Sequence, residues 1–410
     1  MAAVKSLVRS IARAALARLG GGAGASRAVP YMARWAGARQ RALLRGRGLV
    51  RGAGIVWPQH GRAWVMDRDY ALPGRGEVLI ETAVSAVSAG TERAYFLGLP
   101  NAVTDFPTLP GYSLAGTVVE IGRGVSAVRP GDRVALAAPH ASLAVGSAVE
   151  VYAVPAGVSM EEAAFVSLAL IALQALQKVT IIPGNPIAIL GHGIIGQLLA
   201  QFLCAFGAYP VTSVSRSGRR ATEALQRTMQ RVILVDRDGV DALDHVDAAV
   251  TFDATGHPDG VAFASRCTRP GGRVVLVGST RGVTEAMDFG ALADRRIALV
   301  GAHINSLTRE DRPVEARRFF RLLEEKRIAV APLITHRVHP LEAEWFYRRL
   351  AGRDDASIAA VFTWDALPSV QRMRRVSFLA PPDLGPLRRA ALVEVPLADR
   401  VRMNAGTAAG

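Results

Sequence analysis

The stretch Ile187-Ala188-Ile189-Leu190-Gly191-His192-Gly193-Ile194-Ile195-Gly196 decides the reading of this chain. A strand-length apolar run leads directly into G-x-G-x-x-G, and a helix is expected over 194–206. Strand, glycine turn and helix in that order are the setting that gives the motif meaning. Gly191 permits the tight turn, Gly193 lets the backbone approach a pyrophosphate, and Gly196 lets helix and strand pack closely. The helix start presents unpaired N–H groups and a positive dipole end to phosphates. His192, Ile194 and Ile195 complete the expected cofactor loop, with the His192 side chain read as lying near the phosphates rather than as a catalyst.

Downstream, strands are expected at 209–214, 231–235, 248–252, 273–277 and 297–303, alternating with helices at 219–229 and 259–267. Nearly all-apolar strands alternating with helices specify an α/β unit with a doubly wound parallel sheet. Thr255 and Gly278, just past two of those strands, are further expected cofactor contacts. The end of the second strand reads Ser213-Val214-Ser215-Arg216-Ser217-Gly218-Arg219-Arg220. A carboxylate there would bind the ribose hydroxyls of NAD; none is present. Ser215, Arg216 and Arg219 suit the 2′-phosphate of NADP instead. One or two charge-assisted contacts would favour NADP over NAD by roughly tenfold or more.

Upstream the texture differs. Strands at 62–67, 77–85, 117–121 and 133–137 are joined by local turns such as Leu72-Pro73-Gly74 and Pro130-Gly131-Asp132. A long buried helix is expected over 161–176. After the parallel sheet come helices at 314–325 and 341–350 and strands at 333–337 and 358–364, the last returning to the first domain. The expected domains are a basic extension (1–52), a β-rich unit (53–170), the dinucleotide unit (171–305), a return to the β-rich unit (306–366) and a tail (367–410).

The net charge of +14 does not indicate nucleic acid as a partner. Lys5, Lys178 and Lys326 are the only lysines, and the Ala, Gly, Val and Arg content resembles a GC-biased codon supply. No basic run is interleaved with aromatics that could stack on bases. Two cysteines, Cys204 and Cys267, exclude a disulfide scaffold and fit a reducing, cytoplasmic setting. No apolar run is long enough to span a bilayer. Near the N-terminus, Val4, Leu7, Val8, Ile11, Ala15 and Leu19 recur at helical spacing, with Lys5, Arg9 and Arg13 on one side. This basic amphipathic helix fits a docked or frayed leader, a peripheral membrane contact or an organelle-type transit segment.

Four segments carry a resemblance: Val87-Ser88-Ala89-Gly90-Thr91-Glu92, Pro110-Gly111-Tyr112-Ser113-Leu114-Ala115-Gly116, Pro130-Gly131-Asp132-Arg133-Val134, and Gly191 to Gly196. In that order and spacing the chain resembles the medium-chain dehydrogenase/reductase superfamily over residues 54–364. It looks most like a subgroup that includes bacteriochlorophyllide a dehydrogenase. The resemblance implies a GroES-like β domain interrupted by a Rossmann domain, an active site in the cleft between them, a small-molecule substrate and a homodimer.

The departures from that family matter as much. Zinc-dependent members carry Cys where this chain has Ala89, and Gly-His-Glu where it has Gly111-Tyr112-Ser113. The four-cysteine zinc lobe is missing as well, so a metal-free enzyme is expected. Thr91 matches the family's proton-relaying hydroxyl and otherwise reads as a turn cap. Tyr112 stands at a zinc-ligand position, where its phenol is either a proton donor or packing. Glu92 joins these two in the expected catalytic set, orienting its neighbours; Tyr95 and His140 are further cleft residues. The expectation is a zinc-independent, NADP-dependent oxidoreductase acting on a secondary alcohol and its ketone. An enone or quinone reductase, or a dinucleotide-binding protein without activity, are the alternatives.

Overall fold

The computed structural model describes residues 45–46, 48–220, 229–278, 281–352 and 357–364. The predicted N-terminal helix, most of the helix expected at 219–229 and the tail after 366 lie outside the described residues.

The first unit is antiparallel. Strands β1 (Leu49–Val56) and β2 (Trp64–Ala71) form a ribbon. β3 (Glu77–Val87), helix α1 (Ala89–Leu97), β4 (Leu114–Ile121), β5 (Arg133–Leu136), β6 (Leu143–Ser147) and β7 (Tyr152–Ala153) follow. Because β1 starts at Leu49 and buries Ala53 and Ile55, this unit begins before the expected boundary at residue 53.

Two helices, α2 (Met160–Ala163) and α3 (Val166–Leu176), replace the single one expected over 161–176. A capping box of Ser159 and Glu162 starts α2. At the break, Ser113 Oγ donates to the Ala164 carbonyl (2.5 Å) and accepts from the Ser167 amide (3.2 Å). α3 is apolar apart from Ser167 and Gln174 and buried at every residue but Ile171. It joins the sheet residues Val84, Ala86 and Ala115 to the second unit in one continuous core.

The second unit comprises β8 (Ile187–Leu190), α4 (Ile194–Ala205), β9 (Val211–Ser215), β10 (Arg231–Leu234), α5 (Val235–Asp238), β11 (Ala248–Asp253), α6 (Gly260–Cys267), β12 (Thr268–Leu276), α7 (Phe289–Asp294) and β13 (Ala298–Gly301). Its strands are all parallel, in the order β10-β9-β8-β11-β12-β13. The order reverses between β8 and β11. Ligands of such sheets bind in the crevice beyond the C-terminal strand ends at that reversal.

The chain ends, among the described residues, with α8 (Asp311–Glu324), β14 (Ile334–Val338), α9 (Ala343–Ala351) and β15 (Ala359–Thr363). α8 does not belong to the β-rich unit, as the boundary at 306 implied. Its Phe319 packs edge-on against Phe202 of α4, with ring centroids 6.4 Å apart, and the helix contacts α3. The return comes at β14, and β15 closes the first sheet by pairing with β3. Among the described residues no helix is long and apolar enough to cross a membrane.

Candidate active site

The expected cofactor residues converge on one edge of the parallel sheet. Gly191 has φ +101°, and its amide donates to Val214 O (2.8 Å). A Cβ on it would press on Ala254 and Thr255 at 3.2–3.3 Å, so the turns after β8 and β11 touch. A Cβ on Gly196 would lie 1.9 Å from the Gly191 carbonyl. Gly193 is the opposite case: it caps α4, and a Cβ there would meet nothing within 4 Å. That open approach to a helix start fits a pyrophosphate. Ser215, Arg216 and Arg219 stand at the end of β9, with both guanidine side chains exposed. Gly278 leaves β12 against Gly256, which a Cβ would approach to 2.5 Å.

His192 corrects an expectation. Its side chain is not open to a ligand at the loop surface; it is 3% exposed, with Nε2 paired to Ser213 Oγ at 2.7 Å. Burial pushes the imidazole down to about 4, so it is neutral. Asp253, missed in the sequence, shapes the same edge. Its Oδ1 accepts from the Thr255 amide (2.9 Å) and hydroxyl (2.6 Å), fixing the turn after β11. The D-x-T spacing was the available signal. Both cysteines sit on helices of this unit; burial pushes the Cys267 thiol up to about 12.

Across the crevice, α1 and the start of β4 bring Thr91 and Tyr112 together. The Tyr112 phenol donates to Ser88 Oγ (2.5 Å), and the Thr91 hydroxyl lies close enough to pull its pKa down. Burial raises the phenol above its ordinary pKa, against the pull of the Ser88 and Thr91 hydroxyls. A phenol held protonated beside two hydroxyls can donate to an oxygen that gains charge.

Glu92 and His140 do not line the cleft. Both are buried, in a network behind α1. The Trp364 indole can only donate, and it does so to Ser85 Oγ (2.9 Å). Ser85 Oγ also pairs with His140 Nδ1 (2.8 Å), and His140 Nε2 faces Glu92 Oε2 (3.1 Å). The carboxylate also accepts from Tyr347 OH (2.6 Å) and from the Ser88 amide (2.7 Å). Glu92 thus acts through Ser88, the residue that receives the Tyr112 proton, and is a positioning residue. Ser88 and Tyr347 escaped the sequence reading because their roles depend on partners up to 255 positions away.

The residues at the family's zinc positions do not fit a metal. Ala89 offers no donor, Ser113 Oγ is occupied by Ala164 and Ser167, and the Tyr112 phenol is protonated and paired. Among the described residues no three His, Cys, Asp or Glu side chains could hold a metal ion.

Comparison with known proteins agrees with this architecture. The family model described as "Alcohol dehydrogenase GroES-like domain" matches residues 74–167, and "Zinc-binding dehydrogenase" matches residues 195–321. The 2-desacetyl-2-hydroxyethyl bacteriochlorophyllide A dehydrogenase of Cereibacter sphaeroides is 27% identical over 320 residues, 72% of this chain and 92% of the relative. Human sorbitol dehydrogenase is 24% identical, over 69% of this chain and 88% of its own. Among solved structures, galactitol-1-phosphate dehydrogenase from Escherichia coli superimposes with TM-score 0.68 at 20% identity, covering 76% of this chain and 99% of that one. A Sinorhizobium meliloti 1021 protein described as a zinc-binding dehydrogenase, solved with NADP bound, gives TM-score 0.66 at 20% identity with the same coverage. Two antiparallel and parallel units joined through α3, a glycine loop at the sheet reversal and matches along most of the chain lead to one assignment: the protein is an NAD(P)-dependent oxidoreductase of the medium-chain dehydrogenase/reductase superfamily.

Proposed function

We propose that the protein is a zinc-independent, NADP-dependent oxidoreductase that interconverts a secondary alcohol and a ketone. The observation that carries this reading is the hydroxyl cluster of Tyr112, Thr91 and Ser88, with Tyr112 at a position where zinc-dependent relatives place a metal ligand. When bound, the nicotinamide supplies or accepts the hydride. The chain's own residues handle the oxygen. Tyr112 donates its proton to the carbonyl oxygen as negative charge develops there, and takes it back in the reverse direction. Thr91 gives that oxygen a second hydroxyl contact, and Ser88, fixed by Glu92, aligns the phenol.

Gly191, Gly193 and Gly196 would hold the pyrophosphate, and Thr255 and Gly278 border the same edge. Ser215, Arg216 and Arg219 would take the 2′-phosphate. A homodimer in the cytoplasm is part of the same proposal. The test is consumption or production of NADPH with a panel of secondary alcohols and ketones, with metal analysis on the same sample. Stoichiometric tightly bound zinc, or activity lost on chelation, would overturn zinc independence. Turnover of enones alone would replace the alcohol–ketone reaction by alkene reduction.

A further inference from the structure

Arg281 is a cation on the cleft side of the nucleotide unit that the chemistry above does not use. It stands just beyond β12, at the ligand-binding edge of the parallel sheet. Its guanidinium lies over the Tyr95 ring, 5.4 Å from the centroid. Tyr95 follows Thr91 by one helical turn on α1, so the two share a face. One guanidinium nitrogen donates to the Asn101 carbonyl (2.8 Å), and Asn101 Nδ2 donates to Gly282 O (3.4 Å). These contacts hold the side chain across the opening between the two units. Its charge reaches the reacting groups, since Arg281 is one of the influences that lower the Tyr112 pKa.

Arginines of this protein settle in two ways: Arg337 pairs with Glu161 through two 2.7 Å bonds and Arg266 with Asp244, while Arg133 and Arg295 donate to several backbone carbonyls each. Arg281 has no carboxylate partner among the described residues; its side chain meets one carbonyl and one ring. A guanidinium carries five N–H donors in a fork that matches a carboxylate.

We propose that Arg281 selects substrates that bear a carboxylate, binding that group while the carbonyl faces Tyr112 and Thr91. This rests on the alcohol–ketone reading for the position of the carbonyl. The test titrates the NADPH complexes of wild type, Arg281→Gln and Arg281→Lys, following NADPH fluorescence. The probes are 4-acetylbenzoate and benzoylformate, each against its methyl ester, with NADPH consumption recorded in parallel.

Wild type should bind the acids at least tenfold tighter than the esters, with the ratio shrinking as salt is raised. Arg281→Gln should bring the ratio to about one while NADPH affinity stays within about twofold. Arg281→Lys should fall between. Equal affinity for acids and esters in wild type, including no measurable binding of either, overturns the proposal. So does an acid preference that survives Arg281→Gln, or a loss of NADPH affinity with the ratio unchanged. An arginine-dependent acid preference without NADPH consumption supports the carboxylate site and rejects the redox reading.

Discussion

Gly193 and Gly196 sit three residues apart and exclude side chains for opposite reasons. A Cβ on Gly193 meets no protein atom, so Gly193→Val should fold with an unchanged melting temperature and still lose NADPH binding in a fluorescence titration. A Cβ on Gly196 collides with the Gly191 carbonyl, so Gly196→Val should lower the melting temperature itself, by several degrees or more. At the catalytic residues, Tyr112→Phe and Thr91→Val should each cut turnover by about a hundredfold or more with NADPH affinity unchanged. Burial raises the phenol's pKa, so loss of its proton should cut turnover only at the alkaline end of the wild-type pH profile. His192 is different. Its pKa is about 4 in the fold and ~6.5 in the unfolded chain. Between those values only the unfolded chain takes the proton, so stability falls as pH drops from about 6.5 to about 4, by up to roughly 3 kcal/mol. Thermal melts of His192→Asn should show a shallower loss between pH 7 and 5; an equal loss would assign the acid sensitivity to other groups. Glycine roles were legible in the sequence because they depend on neighbours a few positions away. The roles of His192, His140 and Glu92 were not, because burial is set by distant strands.

At the scale of elements, the end of β9 decides cofactor choice. Replacing Arg216 and Arg219 by Gln should weaken NADPH binding by about tenfold or more and leave NADH nearly unchanged, measured as dissociation constants for both. A wild-type preference for NADH would overturn the assignment. The strand positions of the parallel sheet were readable from sequence, since a strand buried on both faces is a continuous apolar run between turns. β8 matches its expected span residue for residue. The break between α2 and α3 was not readable. It depends on Ser113, some fifty positions earlier, reaching the backbone at the junction. The placement of α8 failed for a related reason. Its apolar face shows that it is covered, but the Phe202 that covers it comes from a different stretch of chain.

For the whole molecule, the described fold gives a sharp expectation at the N-terminus. Deleting residues 1–44 should leave turnover and melting temperature near those of the full chain. Extending the deletion through residue 56 removes β1, with its buried Ala53 and Ile55, and should cost several degrees of melting temperature. Equal behaviour of the two deletions would mean that the ribbon is not part of the stable unit. The pairing of β3 has a consequence of another kind. β4 runs along one of its edges, while the other is shared between β6 on residues 77–81 and β15 on residues 84–87. During synthesis β3 leaves the ribosome early and β15 near the end. For some 270 residues of elongation, half of one β3 edge therefore waits exposed for its neighbour. The parallel sheet and its helices can assemble in that interval, because its strands are complete by β13 and α8 follows well before β15. The emerging chain thus builds its nucleotide-binding half first, and is open to wrong strand pairing at β3 until its last described strand is made.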